Sequence, residues 1–354
     1  MSSLPSLHKK RKPMPIPVKN FSQSGLKEQF KEIGFPSFRA DQVLSWIYGK
    51  GSTSYGEMTN LPKTMREQLE VSYPLHAPKV AATQESRDGS RKYLIEFHDE
   101  AVVETVGLPS EDGRLTVCCS TQSGCAMNCS FCATGKLGLN RNLSVGEIVD
   151  QILVIQADYS QRVTNVVVMG QGEPFMNYEA TLGALHILNA PKLLNIGARH
   201  ITVSTCGVIS GIERFSEEKE QFTLAVSLHS ARQEVRDQLM PAMKNQRLSE
   251  LRKSLVDYTG KTNRRFTFEY ALMKGVNDSE EDLEALISYC RRLLCHVNLI
   301  PLNKVEDSIY RPVSSDIVNT WRDKLEESGI AATTRRSQGD DISAACGQLS
   351  SQYK

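Results

Sequence analysis

Short apolar runs alternate with helical stretches along most of this chain, and this alternation constrains the fold more than any other feature. Val163–Met169 is the clearest run, a continuous apolar stretch of the length of a strand buried on both faces. Similar runs recur at Leu115–Cys118, Ile201–Thr205, Phe222–Leu228, Phe266–Leu272, Val297–Leu302 and Ile330–Thr333. Repeated strand–helix units predict an α/β fold with a parallel sheet, here a partial TIM-like barrel of the (β/α)6 type.

Two of the intervening helices have clear sequence signals. Ser144 and Glu147 have the spacing of a capping box, and apolar residues on one face follow them. Asp278–Leu294 has a helical pattern with acidic residues at its start. Both segments are therefore predicted to be connections between parallel strands.

The chain before residue 111 has a different character. Residues 1–20 are basic and rich in proline, which predicts a disordered tail that tethers RNA; a transit peptide is the alternative, and the prolines oppose it. Helical periodicity follows, and then an alternating strand pattern with Asp88-Gly89 as its turn. The predicted organisation is a tail at 1–20, a helical accessory domain at 21–75, a β-hairpin linker at 76–110, the barrel core at 111–343 and a C-terminal segment at 344–354.

Three cysteines with the spacing C-x3-C-x2-C follow the first predicted core strand. They are Cys125, Cys129 and Cys132. A loop of this kind can wrap three thiolates around one inorganic centre, whereas a structural zinc site needs a fourth ligand and usually a second C-x-x-C pair. Three thiolates on a [4Fe–4S] cluster leave one iron open to bind a substrate, so the spacing favours a cluster over three unconnected core cysteines.

Polar residues stand at the carboxyl ends of several predicted strands. They occur in Gly170-Gln171-Gly172-Glu173-Pro174, Ser204-Thr205-Cys206-Gly207, Ser227-Leu228-His229-Ser230 and Pro301-Leu302-Asn303. Each alone is an ordinary turn, and His229 alone is more typical of a buried core histidine. Because the carboxyl ends of parallel strands converge on one face, these residues together predict a single pocket beside the cysteine loop.

Composition excludes some classes of function. The nine cysteines are odd in number and bunched, which favours a reducing, cytoplasmic location over a secreted disulfide scaffold. No apolar run approaches the ~20 residues that cross a bilayer. The net charge is only +1, so an RNA site would have to be a local patch. Candidate patches are Lys9-Lys10-Arg11-Lys12, Arg264-Arg265 and Arg335-Arg336.

The chain resembles the radical S-adenosylmethionine superfamily and, within it, the RlmN/Cfr family of RNA methyltransferases. The three-cysteine loop and Gly-x-Gly-Glu-Pro match superfamily elements, and the family signature covers nearly the whole chain. Its parts include Phe38-Arg39-Ala40-x-Gln42, Val103-Glu104-Thr105-Val106, Cys118-x-Ser120-x-Gln122-x-Gly124-Cys125, Phe131-Cys132-Ala133-Thr134-Gly135, Gly275-Val276-Asn277-Asp278 and the segment from Gly339 to Leu349.

The resemblance implies cofactors and site residues. It implies one [4Fe–4S] cluster per subunit on the three loop cysteines, and two molecules of S-adenosylmethionine consumed per methylation. The matching S-adenosylmethionine contacts are Gly172, Glu173, Ser204, Ser227, Leu228, His229 and Asn303. Cys346 matches the cysteine that first accepts a methyl group, Glu104 the base that removes the adenine C2 proton, and Cys118 the thiol that releases the product by forming a disulfide with Cys346.

The resemblance also implies partners and leaves rivals open. We expect 23S rRNA and tRNA as substrates, a low-potential electron donor such as flavodoxin or ferredoxin, no membrane, and a monomer. Pro174 favours methylation of adenine C2, and a Cfr-like C8 methyltransferase that gives antibiotic resistance is the alternative. A rival of another class is an RNA-binding Fe–S carrier or sensor. Two residues depart from the family pattern: Gln171, expected at the pocket edge, and Cys119, expected to compete with Cys118 in disulfide exchange.

Overall fold

The computed structural model describes residues 15–303, 305, 308–335 and 338–350. The chain divides into two compact units, Met1–His76 and Ala77–Lys354. Most of the predicted tail, including its basic patch, lies outside the described residues, as does Arg336 of another patch.

The first unit is helical, as the sequence predicts. Its helices are α1 (Gln23–Glu32), α2 (Phe38–Leu44) and α3 (Lys63–Ser72). The side chain of Ser22 caps α1 by accepting the Gly25 N–H at 3.1 Å. Leu26 and Phe30 are fully buried, which gives α1 one apolar face.

The second unit is built on a ten-stranded sheet and a two-stranded one. The strands are β1 (Lys79–Glu85), β2 (Arg91–Glu96), β3 (Val102–Pro109), β4 (Leu115–Cys118), β5 (Gln122–Gly124), β6 (Leu139–Asn142), β7 (Asn165–Val168), β8 (Ile201–Thr205), β9 (Thr223–Ser227), β10 (Phe266–Leu272), β11 (Cys295–Pro301) and β12 (Ala332–Thr334). The large sheet has the order β1-β2-β3-β4-β7-β8-β9-β10-β11-β12, and β5 pairs with β6. Its edges, β1 and β12, are not paired with each other within the described residues, so the sheet is an open, partial barrel.

The parallel core begins at β4. From there every neighbouring pair of strands up to β12 is parallel. The predicted α/β class with a partial barrel is therefore confirmed. The predicted core strands are all present, and their ends differ from the predicted ones by at most two residues; the last, for example, begins at Ala332 rather than Ile330.

Within the described residues, seven α-helices of the second unit follow or connect the core strands. They are α4 (Val145–Asp158), α5 (Tyr178–Asn189), α6 (Ile209–Phe215), α7 (Gln233–Leu239), α8 (Leu248–Thr262), α9 (Glu280–Cys290) and α10 (Ser315–Glu327). The predicted capping box of Ser144 and Glu147 is confirmed at the start of α4. The helix predicted over Asp278–Leu294 is shorter, because Ser279 caps it and β11 already begins at Cys295. None of the described helices is long and apolar enough to cross a bilayer.

The segment predicted as a β-hairpin linker also contributes to the large sheet. β1 and β2 do form a hairpin, but β3 pairs with both β2 and β4, antiparallel to each. Residues 79–109 thus also extend the core sheet, because β3 supplies the hydrogen-bonding partner that edge strand β4 would otherwise lack.

Candidate active site

A cavity of about 150 Å³ lies at the carboxyl ends of the parallel strands, against the cysteine loop. The predicted site residues that line it are Cys125, Cys129, Cys132, Gly172, Glu173, Ser204, Ser227, His229, Asn303 and Cys346. The structure thus brings together residues from the loop, from four strand ends and from the C-terminal segment. Leu228 is the exception among the predicted cofactor contacts, since its side chain is fully buried in the core.

The cysteine loop is shaped by glycines that leave no room for side chains. Gly124 has φ +76°, and a Cβ there would collide with the Gly138 carbonyl oxygen. A Cβ on Gly135 would lie 2.9 Å from the backbone nitrogen and oxygen of Cys129. The loop therefore closes tightly around the face on which the three thiols stand.

The donor set fits an iron–sulfur cluster. Burial raises the pKa of the Cys125 thiol to about 12, with the neighbouring cysteines adding to the rise, and burial also raises the pKa of Cys132. Thiols grouped in this way repel one another as thiolates unless a cation lies among them. Bound iron would supply that charge, so three thiols in this arrangement suit the cluster that the sequence predicts.

Glu173 is held rigidly beside the loop. It is 1% exposed, its Oε1 accepts the Phe175 N–H at 3.0 Å, and its Oε2 accepts the Cys206 N–H at 2.6 Å. Burial raises the pKa of this carboxyl, and the backbone donors oppose the rise. A carboxylate fixed at the cavity wall is suited to binding an ammonium group.

His229 is fixed in an unusual backbone conformation, with φ +55°. Its Nδ1 accepts the Ala271 N–H at 3.0 Å, which places the ring proton on Nε2. Burial, and then the charge of Arg236, lowers the pKa of His229 to about 3, so the ring is neutral at physiological pH. The Phe131 ring contacts it edge-on, with centroids 4.7 Å apart. His229 is thus a neutral donor at the cavity wall.

A second cavity of about 90 Å³ adjoins the first. Cys118, at the end of β4, lines it, and Cys346 lines both cavities. Arg335, which follows β12, also lines both. The predicted methyl carrier and the predicted resolving thiol therefore face a common space.

Arg335 places a positive charge at the cavity that Cys118 and Cys346 share. The charge of Cys346 is the largest cause of its raised pKa, with Glu269 and Cys118 contributing. Burial raises the pKa of Cys118 to about 12, a negative Cys346 raises it further, and Arg335 opposes both effects. The guanidinium can therefore stabilise a thiolate at either sulfur.

Glu104, the predicted base, lies in neither cavity wall. Its side chain is fully buried, with Oε1 3.1 Å from the Lys92 Nζ, and Oε2 accepts the Ser350 N–H at 2.5 Å. In this conformation the C-terminal segment covers the carboxylate. The sequence could not anticipate this because the two residues are far apart in the chain.

The two departures from the family pattern both point away from the cavities. Gln171 is 1% exposed and accepts the Glu104 N–H at 3.4 Å, and it does not line the pocket edge as expected. Cys119 is fully buried, and burial raises its pKa. It follows the end of β4, so its side chain points to the opposite face from Cys118 and does not line the second cavity.

Three functional residues escaped the sequence reasoning. Cys206, part of a predicted strand-end motif but not a predicted site residue, lines the first cavity, and its interaction with Cys129 is the largest cause of its raised pKa. Arg236 is 1% exposed and donates to the carbonyls of Ser227 and Cys206 at 2.8 and 2.6 Å, joining the ends of two strands. Arg335 was interpreted as part of a surface patch. Only the position of Cys206 at a strand end could have signalled its role.

Comparison with known proteins assigns the class. Residues 119–287 match the family described as the radical SAM superfamily, and residues 16–73 match the "Ribosomal RNA large subunit methyltransferase N-terminal domain". A crystal structure of a radical SAM methyltransferase from Sphaerobacter thermophilus is similar with a TM-score of 0.91 and 42% identity, covering 96% of this chain and 100% of that one. The fold and the enzyme class are those of a radical SAM methyltransferase.

Relatives narrow the assignment. A protein described as probable dual-specificity RNA methyltransferase RlmN from Clostridioides difficile is 45% identical over 96% of this chain and 98% of its own. One of the same description from Bacillus velezensis is 44% identical over 94% of this chain and 92% of its own. The chain belongs to the RlmN family. Its cofactors are those of a radical SAM enzyme, a [4Fe–4S] cluster and S-adenosylmethionine.

Proposed function

We propose that this protein methylates C2 of adenosine in 23S rRNA, and of the adenosine next to the anticodon in tRNA, through a methyl group carried on Cys346. The observation that carries the proposal is the position of Cys346, which lines both the cavity of the three loop cysteines and the cavity of Cys118. A carrier must accept a group at one place and be freed of it at another. Cys346 lies where both are within reach.

Cys125, Cys129 and Cys132 hold the cluster, and Gly172, Glu173, Ser204, Ser227, His229 and Asn303 form the S-adenosylmethionine site. When bound, S-adenosylmethionine would supply the methyl group. Together with the cluster it would also supply the one-electron chemistry that an electron-poor carbon such as adenine C2 requires. Glu173 binds the ammonium group of the methionine part, because its carboxylate is fixed at the cavity wall. Leu228 contributes by backbone position only.

Release of the product is a step for the two thiols. Cys118 loses its proton and attacks the Cys346 sulfur, so that an S–S bond forms and the bond from that sulfur to the carbon on adenine breaks. The electron pair of the broken bond goes to the carbon, which takes up a proton and becomes the methyl group. A thiol reductant then restores both cysteines.

Glu104 is the base that removes the C2 proton, and this role requires movement. Its carboxylate is bonded to the Ser350 N–H, so the end of the C-terminal segment must move away before adenine can approach. Lys92 remains beside Glu104 and compensates the buried charge.

Expression in a host that lacks this methylation, followed by mass mapping of rRNA and tRNA, tests the proposal. We expect 2-methyladenosine in both RNAs, in the cytoplasm where they reside. Pro174 and the RlmN descriptions of the relatives favour C2, and 8-methyladenosine would instead establish the Cfr-like reaction. RNA binding without any methylation would establish an Fe–S carrier or sensor. Such a protein would have no use for the thiol of Cys346.

The cluster is tested separately. Cys125→Ala, Cys129→Ala and Cys132→Ala should each lose the brown absorbance and the cleavage of S-adenosylmethionine. Stoichiometric zinc without iron after anaerobic reconstitution would contradict the assignment. For electron supply we propose a low-potential donor such as flavodoxin or ferredoxin, and for the enzyme a monomer.

A further inference from the structure

The segment that carries Cys346, residues 339–349, is bonded at its beginning to the turn between β1 and β2. The Ser86 hydroxyl donates to Asp341 Oδ1 at 2.6 Å, and the Arg87 N–H donates to Asp341 Oδ2 at 3.3 Å. The Gly339 N–H donates to Asp88 Oδ2 at 3.0 Å. A turn far away in the sequence thus holds the start of the Cys346 segment.

The turn is itself well ordered. Asp88 Oδ1 accepts the Ser90 N–H at 2.9 Å, and Ser86 Oγ accepts the Asp88 N–H at 3.3 Å. Two backbone bonds, from Ser86 N–H to Ser90 O at 2.8 Å and from Gly89 N–H to Ser86 O at 3.0 Å, close it. Ser86 and Asp88 therefore each bond within the turn and to the Cys346 segment at the same time.

Bonds inside the segment can transmit that position to Cys346. The Ala344 N–H donates to Gly339 O at 2.9 Å, and Gln348 Nε2 donates to Asp340 Oδ1 at 2.9 Å. Gln348 Oε1 in turn accepts the Ala345 N–H at 3.0 Å. The segment is thus a compact loop whose halves are joined across Cys346.

The other end of the segment is bonded to the active site. The Ala133 N–H donates to Gly347 O at 2.8 Å, and the Thr134 hydroxyl donates to Leu349 O at 2.6 Å. Asn303 Nδ2 donates to the carbonyl of Cys346 itself at 3.1 Å. Cys346 is therefore held between the cysteine loop on one side and the β1–β2 turn on the other.

We propose that Ser86 and Asp88 are positioning residues for the reaction of Cys346 with Cys118. Neither lines either of the two active-site cavities, so they act through the Cys346 segment and not on the substrate. Holding both sulfurs at one place raises their effective concentration toward each other, because the entropy of closing the loop between them is already lost on folding. The inference rests on the proposed function, since it concerns the disulfide of the releasing step.

The equilibrium with glutathione measures this effective concentration. Cys118 and Cys346 lose two electrons and two protons to form the disulfide, and one oxidised glutathione becomes two reduced ones. The iron-loaded enzyme is incubated without oxygen at a series of glutathione ratios, and peptide mass mapping gives the fraction of the Cys118–Cys346 disulfide. We expect Ser86→Ala combined with Asp88→Ala to lower the effective concentration about tenfold, the effect of losing charge-assisted hydrogen bonds.

Matched variants separate positioning from general damage. Ser110→Ala and Asp112→Ala change the same residue types in the turn between β3 and β4, where Asp112 bonds to Ser110 and Arg114, and they should leave the equilibrium unchanged. Ser86→Thr keeps the hydroxyl and should behave as wild type, whereas Ser86→Ala alone should show part of the loss. Cluster absorbance and the melting temperature report on folding in each variant.

The outcomes separate the inference from the function on which it rests. If wild type forms no Cys118–Cys346 disulfide at any glutathione ratio, the releasing step of the proposed function is wrong. If wild type forms it and the Ser86→Ala, Asp88→Ala double variant has the same equilibrium, the positioning role is wrong while the releasing step stands. Should the double variant fold poorly, an equal loss in Ser86→Thr and Ser86→Ala overturns the inference, because then the hydroxyl is not responsible.

Discussion

Two pairs of cysteines in this protein have opposite surroundings. Cys118 and Cys346 are distant in sequence, line one cavity and share a facing guanidinium, that of Arg335. Cys290 ends α9 and Cys295 begins β11, and neither lines either cavity of the active site. Cys290 and Cys295 are close in sequence and buried in the core, whereas the fold brings Cys118 and Cys346 together around a cavity.

The electrostatics of the pairs differ accordingly. Interaction with Cys295, followed by burial, raises the pKa of Cys290, whereas interaction with Cys290 lowers the pKa of Cys295. Each of these sulfurs is the largest influence on the pKa of the other, and Arg252, which also lowers the pKa of both, lines neither cavity of the active site. At Cys118 and Cys346 the main opposing charge is a side chain that also faces the cavity. Reactivity of a buried thiol thus depends on what else reaches the same space.

The largest effect should come from removing the carrier. Cys346→Ala should abolish methylation of both protein and RNA, a loss of at least about a thousandfold, because Cys132, the other cysteine among the described residues that lines both cavities, is a predicted cluster ligand and is not available as a carrier. Methyl transfer and RNA products are followed by mass spectrometry. If the Cys346→Ala variant retained RNA methylation, Cys346 would not be the carrier, and the functional difference between the two cysteine pairs would not exist.

The next effect concerns the resolving thiol. Cys118→Ala should still be methylated at Cys346 and should still join to the RNA, but it should stop after about one turnover because no thiolate attacks the carrier sulfur. Gels run after RNase digestion would reveal the protein–RNA adduct. Normal turnover would remove Cys118 from the mechanism unless Cys119 replaces it. The Cys118→Ala, Cys119→Ala double variant tests this replacement, and the full burial of Cys119 predicts that Cys119 does not replace Cys118.

Arg335 offers an intermediate effect with a defined sign. Burial raises the pKa of Cys118 to about 12 and Arg335 lowers it, so removing the guanidinium moves the pKa higher. At any pH below that value less thiolate is present, and Arg335→Met should slow release roughly tenfold and shift its pH profile toward higher pH. Arg335→Lys should recover part of the rate. Superimposable profiles for wild type and Arg335→Met would contradict the assignment.

The smallest effect is expected at the closed pair. Cys290→Ser or Cys295→Ser should leave methylation within about twofold of wild type, while the lost sulfur contact costs about 1 kcal/mol of stability. The melting temperature and the rate of RNA methylation are measured together. A large loss of activity at an unchanged melting temperature would mean that this pair also takes part in the reaction.

The sequence by itself determined the class of fold, and it placed the predicted cluster cysteines and most of the predicted cofactor contacts at one cavity. Periodicity and spacing report on neighbours a few residues apart, and in a parallel α/β sheet the strand ends must converge, so Glu173, Ser204 and Ser227 could be placed on one face from pattern alone. The capping box at Ser144 is predictable for the same reason, because both of its bonds are local.

Only the tertiary structure decided which residues meet across the chain. No local pattern relates Arg335 to Cys118, Ser350 to Glu104, or Ser86 to Asp341, because each contact joins segments that the sheet brings together from distant parts of the sequence. Cys206 and Cys290 are likewise the same residue type, but in the folded protein Cys206 lines the first cavity and Cys290 is buried in the core. The sequence determines which chemical groups are present. The surroundings of each group, and hence its pKa and the residues that it can contact, arise only on folding.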